Sequence, residues 1–149
     1  MDQNEVQEWP LGQLALKCHS LQTLKFIGLR TTATNCSRLL EFAGRAISSS
    51  KCFTTLYINA TYSSVTEGAQ FLQTLADSQC SQLTTITISA EDWFEDTDEC
   101  MGPLLVFLAK QTGLQTLQME DNFLSDEQQS QIRQTVADNA SECTIGDLY

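Results

Sequence analysis

The sequence predicts an α/β solenoid, with parallel strands lining one face and helices covering the other, and two observations carry that expectation. One spaced pattern, L-x-x-L-x-L, recurs along the 149 residues as LQTLKF (21–26), FTTLYI (53–58), LTTITI (83–88) and LQTLQM (114–119). Their fourth positions, Leu24, Leu56, Ile86 and Leu117, lie 32, 30 and 31 residues apart, and a degraded fifth copy, ASECTI, sets Ala140, Cys143 and Ile145 in the apolar places. Each copy alternates apolar with polar residues at the strand period of two, whereas the segments between copies follow the helical period of 3.6.

Taken in order, residues 1–20 read as an N-terminal cap, with Pro10 at a first-turn position and Leu11, Leu14, Ala15 and Cys18 following at helical spacing. The repeats occupy 21–149, and the whole chain, 1–149, is expected to form a single domain. After the first strand, Ser37 to Ile47 places Leu39, Leu40, Ala43, Ala46 and Ile47 on one helix face. After the second, Val65 to Ala76 does the same with Phe71, Leu72, Leu75 and Ala76. Its start, Ser64 to Glu67, has the S-x-x-E form in which a hydroxyl and a carboxylate satisfy open amides at a helix end. The tetrapeptide LQTL at 72–75 is therefore expected to be helical, although the same letters at 21 and 114 begin strands. A helix over Cys100 to Lys110 buries Met101, Leu104, Leu105 and Leu108, and another over Asp126 to Ala137 turns Ile132 and Val136 inward behind a looser cap, Ser125 with Gln128. Strands separated by helices imply parallel pairing through right-handed crossovers.

The set of L-x-x-L-x-L segments, each followed by a helix, resembles the leucine-rich repeat in its long, ribonuclease-inhibitor-like form. LQTLQMEDNFLSDEQQ (114–129) is most similar, with Asn122 in the ninth position and Leu124 beginning the turn into the helix. The resemblance covers roughly residues 10–149 and implies a horseshoe of about 4–5 repeats, strands on the concave face and helices on the convex face. Across the copies the ninth position reads Leu29, Thr61, Glu91, Asn122 and Leu148, so only one repeat keeps the asparagine that bridges backbones in the family. Within the class the chain looks most like the C-terminal repeat region of a cytosolic NOD-like receptor. That likeness implies a ligand-sensing, innate-immune protein-binding module.

In the strand register, positions three, five and seven face the inner surface. They read Thr23, Thr55, Thr85, Thr116 and Glu142; Lys25, Tyr57, Thr87, Gln118 and Thr144; and Ile27, Asn59, Ser89, Glu120 and Gly146. The outcome is a neutral, hydroxyl-rich surface with one aromatic anchor, Tyr57. Threonine also suits a pleated surface for its own packing, so the row has a structural explanation beside the binding one. The second candidate surface is EDWFEDTDE (91–99), with six acids in nine residues. It is expected as a rim loop whose Asp92, Trp93, Phe94, Glu95 and Asp96 contact a basic partner. The competing reading has Asp96, Asp98 and Glu99 favouring a helix N-terminus while Trp93 and Phe94 tuck beneath the loop. The segment lacks the ligand ladder and central glycine of an EF-hand, which weighs against calcium.

Composition narrows the function classes. The formal net charge is −11, from 19 acids and 8 bases, so a nucleic acid or an anionic membrane would repel the chain, whereas a basic protein would not. MDQNEVQEWP is acidic and polar where a secretory leader needs a basic start and an apolar run, and no apolar run reaches membrane-spanning length, so a cytoplasmic location is expected. The six cysteines are scattered without a C-x-x-C pair and read as buried thiols. Sequons at Asn35, Asn59 and Asn139 point the other way, toward secretion, but arise readily by chance in a chain rich in Ser and Thr. One histidine, His19, no phosphate-binding glycine loop and no metal-ligand spacing predict neither enzyme, nor cofactor, nor metal site. Two functions remain: a receptor or adaptor module that senses a protein ligand, or a free-standing acidic inhibitor or scaffold for a basic protein. The last strand leaves a sheet edge open to homodimerisation.

Overall fold

A computed structural model describes residues 22–27, 52–60 and 63–148. The strands are β1 (Thr23–Ile27), β2 (Thr55–Asn59), β3 (Thr85–Ser89), β4 (Thr116–Met119) and β5 (Thr144–Leu148). Between them run helices α1 (Val65–Asp77), the short α2 (Glu91–Phe94), α3 (Met101–Ala109) and α4 (Asp126–Asn139). The five strands form one parallel sheet in chain order, β1-β2-β3-β4-β5. Each repeat therefore pairs with its sequence neighbours, as the solenoid expectation requires. The helices expected at 37–47 and within 1–20 lie outside the described residues.

Every strand opens on a threonine, and the register joins them into one row, Thr23, Thr55, Thr85, Thr116 and Thr144. The ASECTI alignment put Glu142 at the end of that row and Cys143 beside Leu117; the structure corrects it by two residues. Leu117 pairs with Ile145, and a bulge between Leu117 and Met119 then brings Met119 opposite Leu148. The cause is helix length: α4 continues to Asn139 and closes with the Ala140 amide on the Val136 carbonyl, so the chain turns later, and Thr144 N–H rather than an earlier amide meets Gln115 O at 2.8 Å.

Alternation along the strands decides the core. Leu56, Ile58, Ile86, Ile88, Leu117 and Met119 are fully buried, while the residues between them are half-buried or exposed. Phe53, Leu83 and Leu114, which lead their strands, are buried too. They meet Phe71, Leu72 and Leu75 of α1, Leu104, Phe107 and Leu108 of α3, and Ile132 and Val136 of α4. Each such aliphatic or aromatic side chain contributes about 1.5–3 kcal/mol by leaving water. The helices pack side by side, α1 on α3 and α3 on α4. The middle LQTL thus lies in α1, with Leu72 and Leu75 in the core and Thr74 exposed, its hydroxyl donating to Gln70 O at 2.9 Å.

Helix ends are closed locally and across repeats. Ser125 and Gln128 form the reciprocal capping box of α4. At α1 only the hydroxyl half forms: Ser64 Oγ accepts from Glu67 N–H at 3.3 Å, while the Glu67 carboxylate takes the Ser63 and Ser64 hydroxyls. The C-terminus of α1 is capped from the next repeat, where Lys110 Nζ donates to the carbonyls of Ala76 and Ser78 and places its charge at the negative end of the helix.

Two buried side-chain amides bind one repeat to the next at opposite ends of β3. Before the strand, Gln111 Oε1 accepts from Leu83 N–H at 3.0 Å and its Nε2 donates to Cys80 O at 2.8 Å. After it, Asn122 Oδ1 accepts from Ala90 N–H at 2.7 Å, and its Nδ2 donates to Ile88 O at 2.9 Å and to Glu120 O at 3.0 Å. This is the bridging role implied for the ninth position.

Replacing Asn122 by Ala leaves the Ala90 amide and the Ile88 carbonyl without partners in a dry interior. We expect a loss on the order of 2–4 kcal/mol in urea denaturation, and a loss below about 0.5 kcal/mol would contradict this role. A paired test concerns glycine: a Cβ on Gly68 would lie 2.5 Å from the Trp93 ring, whereas one on Gly102 meets nothing within 4 Å. Gly68→Ala should therefore cost about 1–3 kcal/mol by overpacking, and Gly102→Ala should be neutral or gain about 0.5–1 kcal/mol. Equal melting temperatures for the two variants would refute the difference.

Candidate protein-binding surface

The inner face is built by the same alternation that builds the core. With even positions buried, Thr55, Tyr57, Asn59, Thr85, Thr87 and Thr116 are left half-buried, and Thr23, Lys25, Gln118 and Glu120 exposed. Register sets Tyr57 between Lys25 on one side and Thr87 on the other, with Gln118 beyond Thr87. Below the threonine row, Thr54 Oγ1 donates to Gln22 O at 3.4 Å and Thr84 Oγ1 to Thr54 O at 3.3 Å. These hydroxyls serve the approach to each strand. Those of the row above are presented at the sheet surface, at the strand spacing of about 4.8 Å.

The second candidate segment departs from its expected form. Glu91–Phe94 is a helical turn rather than a loop, and Trp93 and Phe94 are 0% and 1% exposed. Neither can serve as a surface contact, which corrects the expectation for those two residues. Their rings are held by each other, with centroids 6.5 Å apart, and by Phe71 of α1, 6.0 Å from Trp93. The absence of a side chain at Gly68 leaves the space that the indole fills. Among the described residues the buried indole Nε1 has no hydrogen-bond partner, and the ring packs against Phe71 and Phe94. Asp92, Glu95 and Asp96 do remain exposed.

The backbone after α2 is pinned by a third buried amide. Gln128 Nε2 donates to Phe94 O at 3.2 Å, Thr97 O at 2.8 Å and Asp98 Oδ1 at 3.0 Å, while its Oε1 completes the α4 cap on Ser125 N–H at 3.0 Å. One side chain thus closes a helix and fixes the neighbouring acidic turn. Between that turn and the start of α4 lies a groove of about 640 Å³. It is lined by Glu95, Asp96, Thr97 and Asp98 on one wall and by Phe123, Ser125 and Gln128 on the other, with Phe94 also at its lining. Phe123 and Gln111 have no place in the sequence pattern, and Gln128 is expected there only as the cap of α4, a role it fills beside its bonds to the acidic turn. Phe123 sits beside Leu124 in an apolar pair, and only its left-handed backbone, φ 52°, turns it out to 56% exposure.

Of the described cysteines, Cys80 and Cys100 are buried in the core. Cys52, Cys80, Cys100 and Cys143 are free thiols; Cys18 and Cys36 fall outside the described residues. Burial pushes the Cys80 thiol from the ordinary 9.0 up to about 11, against smaller lowering contributions from the Gln82 backbone and Lys110. Burial likewise pushes Cys100 up to about 12, with the Glu99 charge adding to the rise, and raises Cys143.

No protein-family model matches the chain, and no curated protein matches it in sequence. Among solved structures, the tropomodulin C-terminal domain of Caenorhabditis elegans superposes with a TM-score of 0.54 at 10% sequence identity, over 93% of this chain and 93% of that one. A likeness at that identity establishes the fold: this chain is a small α/β solenoid of the leucine-rich-repeat-like kind.

Because thiolate is the reactive form, iodoacetamide near neutral pH should label Cys52, which is exposed, and spare Cys80 and Cys100 until the chain is unfolded. Mass spectrometry of the labelled peptides reads this directly. The raised thiols stabilise the fold below pH 9.0, and that contribution is lost as pH climbs through about 11 and about 12. Early labelling of Cys100 in the folded chain would contradict its placement.

Proposed function

We propose that the chain is a non-enzymatic protein-recognition module that holds a partner on its inner sheet face. The observation that supports this most is the row-by-row presentation of that face, with Tyr57 half-buried among Lys25, Thr87 and the threonine row. A half-buried aromatic on a rigid sheet loses little conformational freedom on binding and offers both an apolar ring and a hydroxyl, a combination enriched at interface anchors.

The setting we favour is the ligand-sensing repeat region of a cytosolic, NOD-like innate-immune receptor or adaptor, on the style of its repeats. Unpaired thiols at Cys52, Cys80, Cys100 and Cys143 agree with a reducing, cytoplasmic environment. The net charge of −11 favours a second setting, a free-standing acidic inhibitor or scaffold for a basic protein. A nucleotide-binding domain encoded upstream of Met1 would select the first. A second copy of the chain pairing along β5, the edge of the described sheet, is a further contact we propose.

The test is affinity capture from a cell lysate with quantitative mass spectrometry, comparing the parent chain with Tyr57→Ala combined with Thr87→Arg. Recovery of the specific partner should fall at least about tenfold, the scale of a 1.4 kcal/mol loss, while the melting temperature is retained. Undiminished recovery would remove the inner face as the binding surface.

A further inference from the structure

We propose that the groove between the acidic turn at 94–98 and the start of α4 is a separate docking site for a short, extended segment of a partner protein, one that carries basic side chains next to an apolar one. The proposal rests on the reading of the chain as a protein-binding module and adds a second surface to it, at the rim rather than on the sheet.

Three observations meet in the groove. The first is Phe123. Its backbone lies in the left-handed region, φ 52°, which favours Gly or Asn over an aromatic residue, and its ring is 56% exposed, so the position opposes both the conformational and the hydrophobic preference of phenylalanine. The fold needs the turn, because Asn122 beside it must swing inward to reach Ile88 and Ala90. It does not need an aromatic ring at the next residue. The exposed ring at the edge of the concavity offers apolar area that an occupant would cover.

The second is charge. Glu95, Asp96 and Asp98 line the opposite wall, and among the described residues no cation pairs with them. The one polar contact from the facing wall to these carboxylates is that of the uncharged Gln128 amide on Asp98. Lysine or arginine side chains on the occupant would meet carboxylates in water-accessible, unpaired form, while an apolar neighbour would cover the Phe123 ring. Among the described residues no three acidic, His or Cys side chains are grouped closely enough to hold a metal ion.

The third is rigidity. Gln128 ties the turn at Phe94, Thr97 and Asp98 to the N-terminus of α4, so the two walls are hydrogen-bonded to each other. A site fixed before binding spares the partner the ordering cost of the loop.

The experiment probes the full chain against an array of random heptapeptides, and repeats it with Phe123→Gly, with Asp96→Gly and with Tyr57→Ala. Bound sequences from the parent chain should be enriched in Lys or Arg adjacent to an apolar residue. Phe123→Gly and Asp96→Gly should cut that binding about tenfold or more, yet leave the melting temperature unchanged or higher, because glycine accepts the left-handed backbone at both positions. Tyr57→Ala should leave peptide binding intact even where it abolishes capture of the partner by the sheet. Bound peptides without basic enrichment, or binding that survives Phe123→Gly, would overturn the groove as a site. Calorimetric binding of calcium ions alone, lost in Asp96→Gly, would overturn the peptide and assign a cation instead. Loss of partner capture by Tyr57→Ala together with either of those results would leave the inner-face reading standing and remove only this one.

Discussion

Three buried side-chain amides, on Gln111, Asn122 and Gln128, are the constraint on which the rest of the solenoid depends. A strand of five residues satisfies its own backbone through the sheet, but the chain that enters and leaves it must turn inside the protein, where an unpaired peptide group costs about 1–3 kcal/mol. A primary amide carries both kinds of hydrogen-bonding group on one rigid plane and so can serve an N–H and a C=O at once. Gln111 does this before β3 and Asn122 after it. Gln128 divides the two roles, its Nε2 serving the Phe94 and Thr97 carbonyls of the acidic turn that follows α2 and its Oε1 the Ser125 N–H of its own helix. Each reaches back about one repeat, 28 to 34 residues, and that reach matches the spacing of the strand pattern. The period is thus held by polar groups as well as by the apolar core. Insertion of a residue between partners would strand a buried donor.

This division explains what could be read from the chain and what could not. Strand and helix positions were legible because each is a local period: FTTLYI and LTTITI alternate, and Phe71, Leu72 and Leu75 fall three and four apart. Asn122 was legible through its place nine residues into LQTLQMEDN. Gln111 was not, and Gln128 was legible only as the α4 cap, since the cross-repeat role of each comes from backbone groups about thirty residues away. Trp93 and Phe94 were open to two readings for the same reason: six acids surround them, but the vacancy that admits the indole is the missing side chain of Gly68 on α1. The fifth strand slipped by two residues because its register is set by where α4 stops, and helix ends carry weaker sequence signals than helix faces. Phe123 was hidden by its neighbour Leu124, which is buried as an apolar pair would suggest. The backbone angle that separates the two is not written in either side chain.

The two proposed surfaces follow from opposite properties of one scaffold. On the sheet, alternation leaves a face whose charges are few, with Lys25 and Glu120 at its margins and hydroxyls and amides between. Complementarity there is a matter of shape and hydrogen bonding, which govern how long a complex lasts. Along the rim the carboxylates of 91–99 and of Glu120, Asp121, Asp126 and Glu127 accumulate, and the described cations are placed elsewhere: Lys110 on the end of α1, Lys25 on the sheet and Arg133 on α4. A field of one sign acts at a distance of about one Debye length, about 8 Å at physiological salt, and speeds encounter with a basic partner more than it strengthens the final complex. A solenoid that keeps its charge on the rim and its rigid, neutral contacts on the sheet can therefore separate attraction from selection. Phe123 joins the two, because an apolar ring within the acidic rim gives an arriving basic segment something to hold once charge has brought it there.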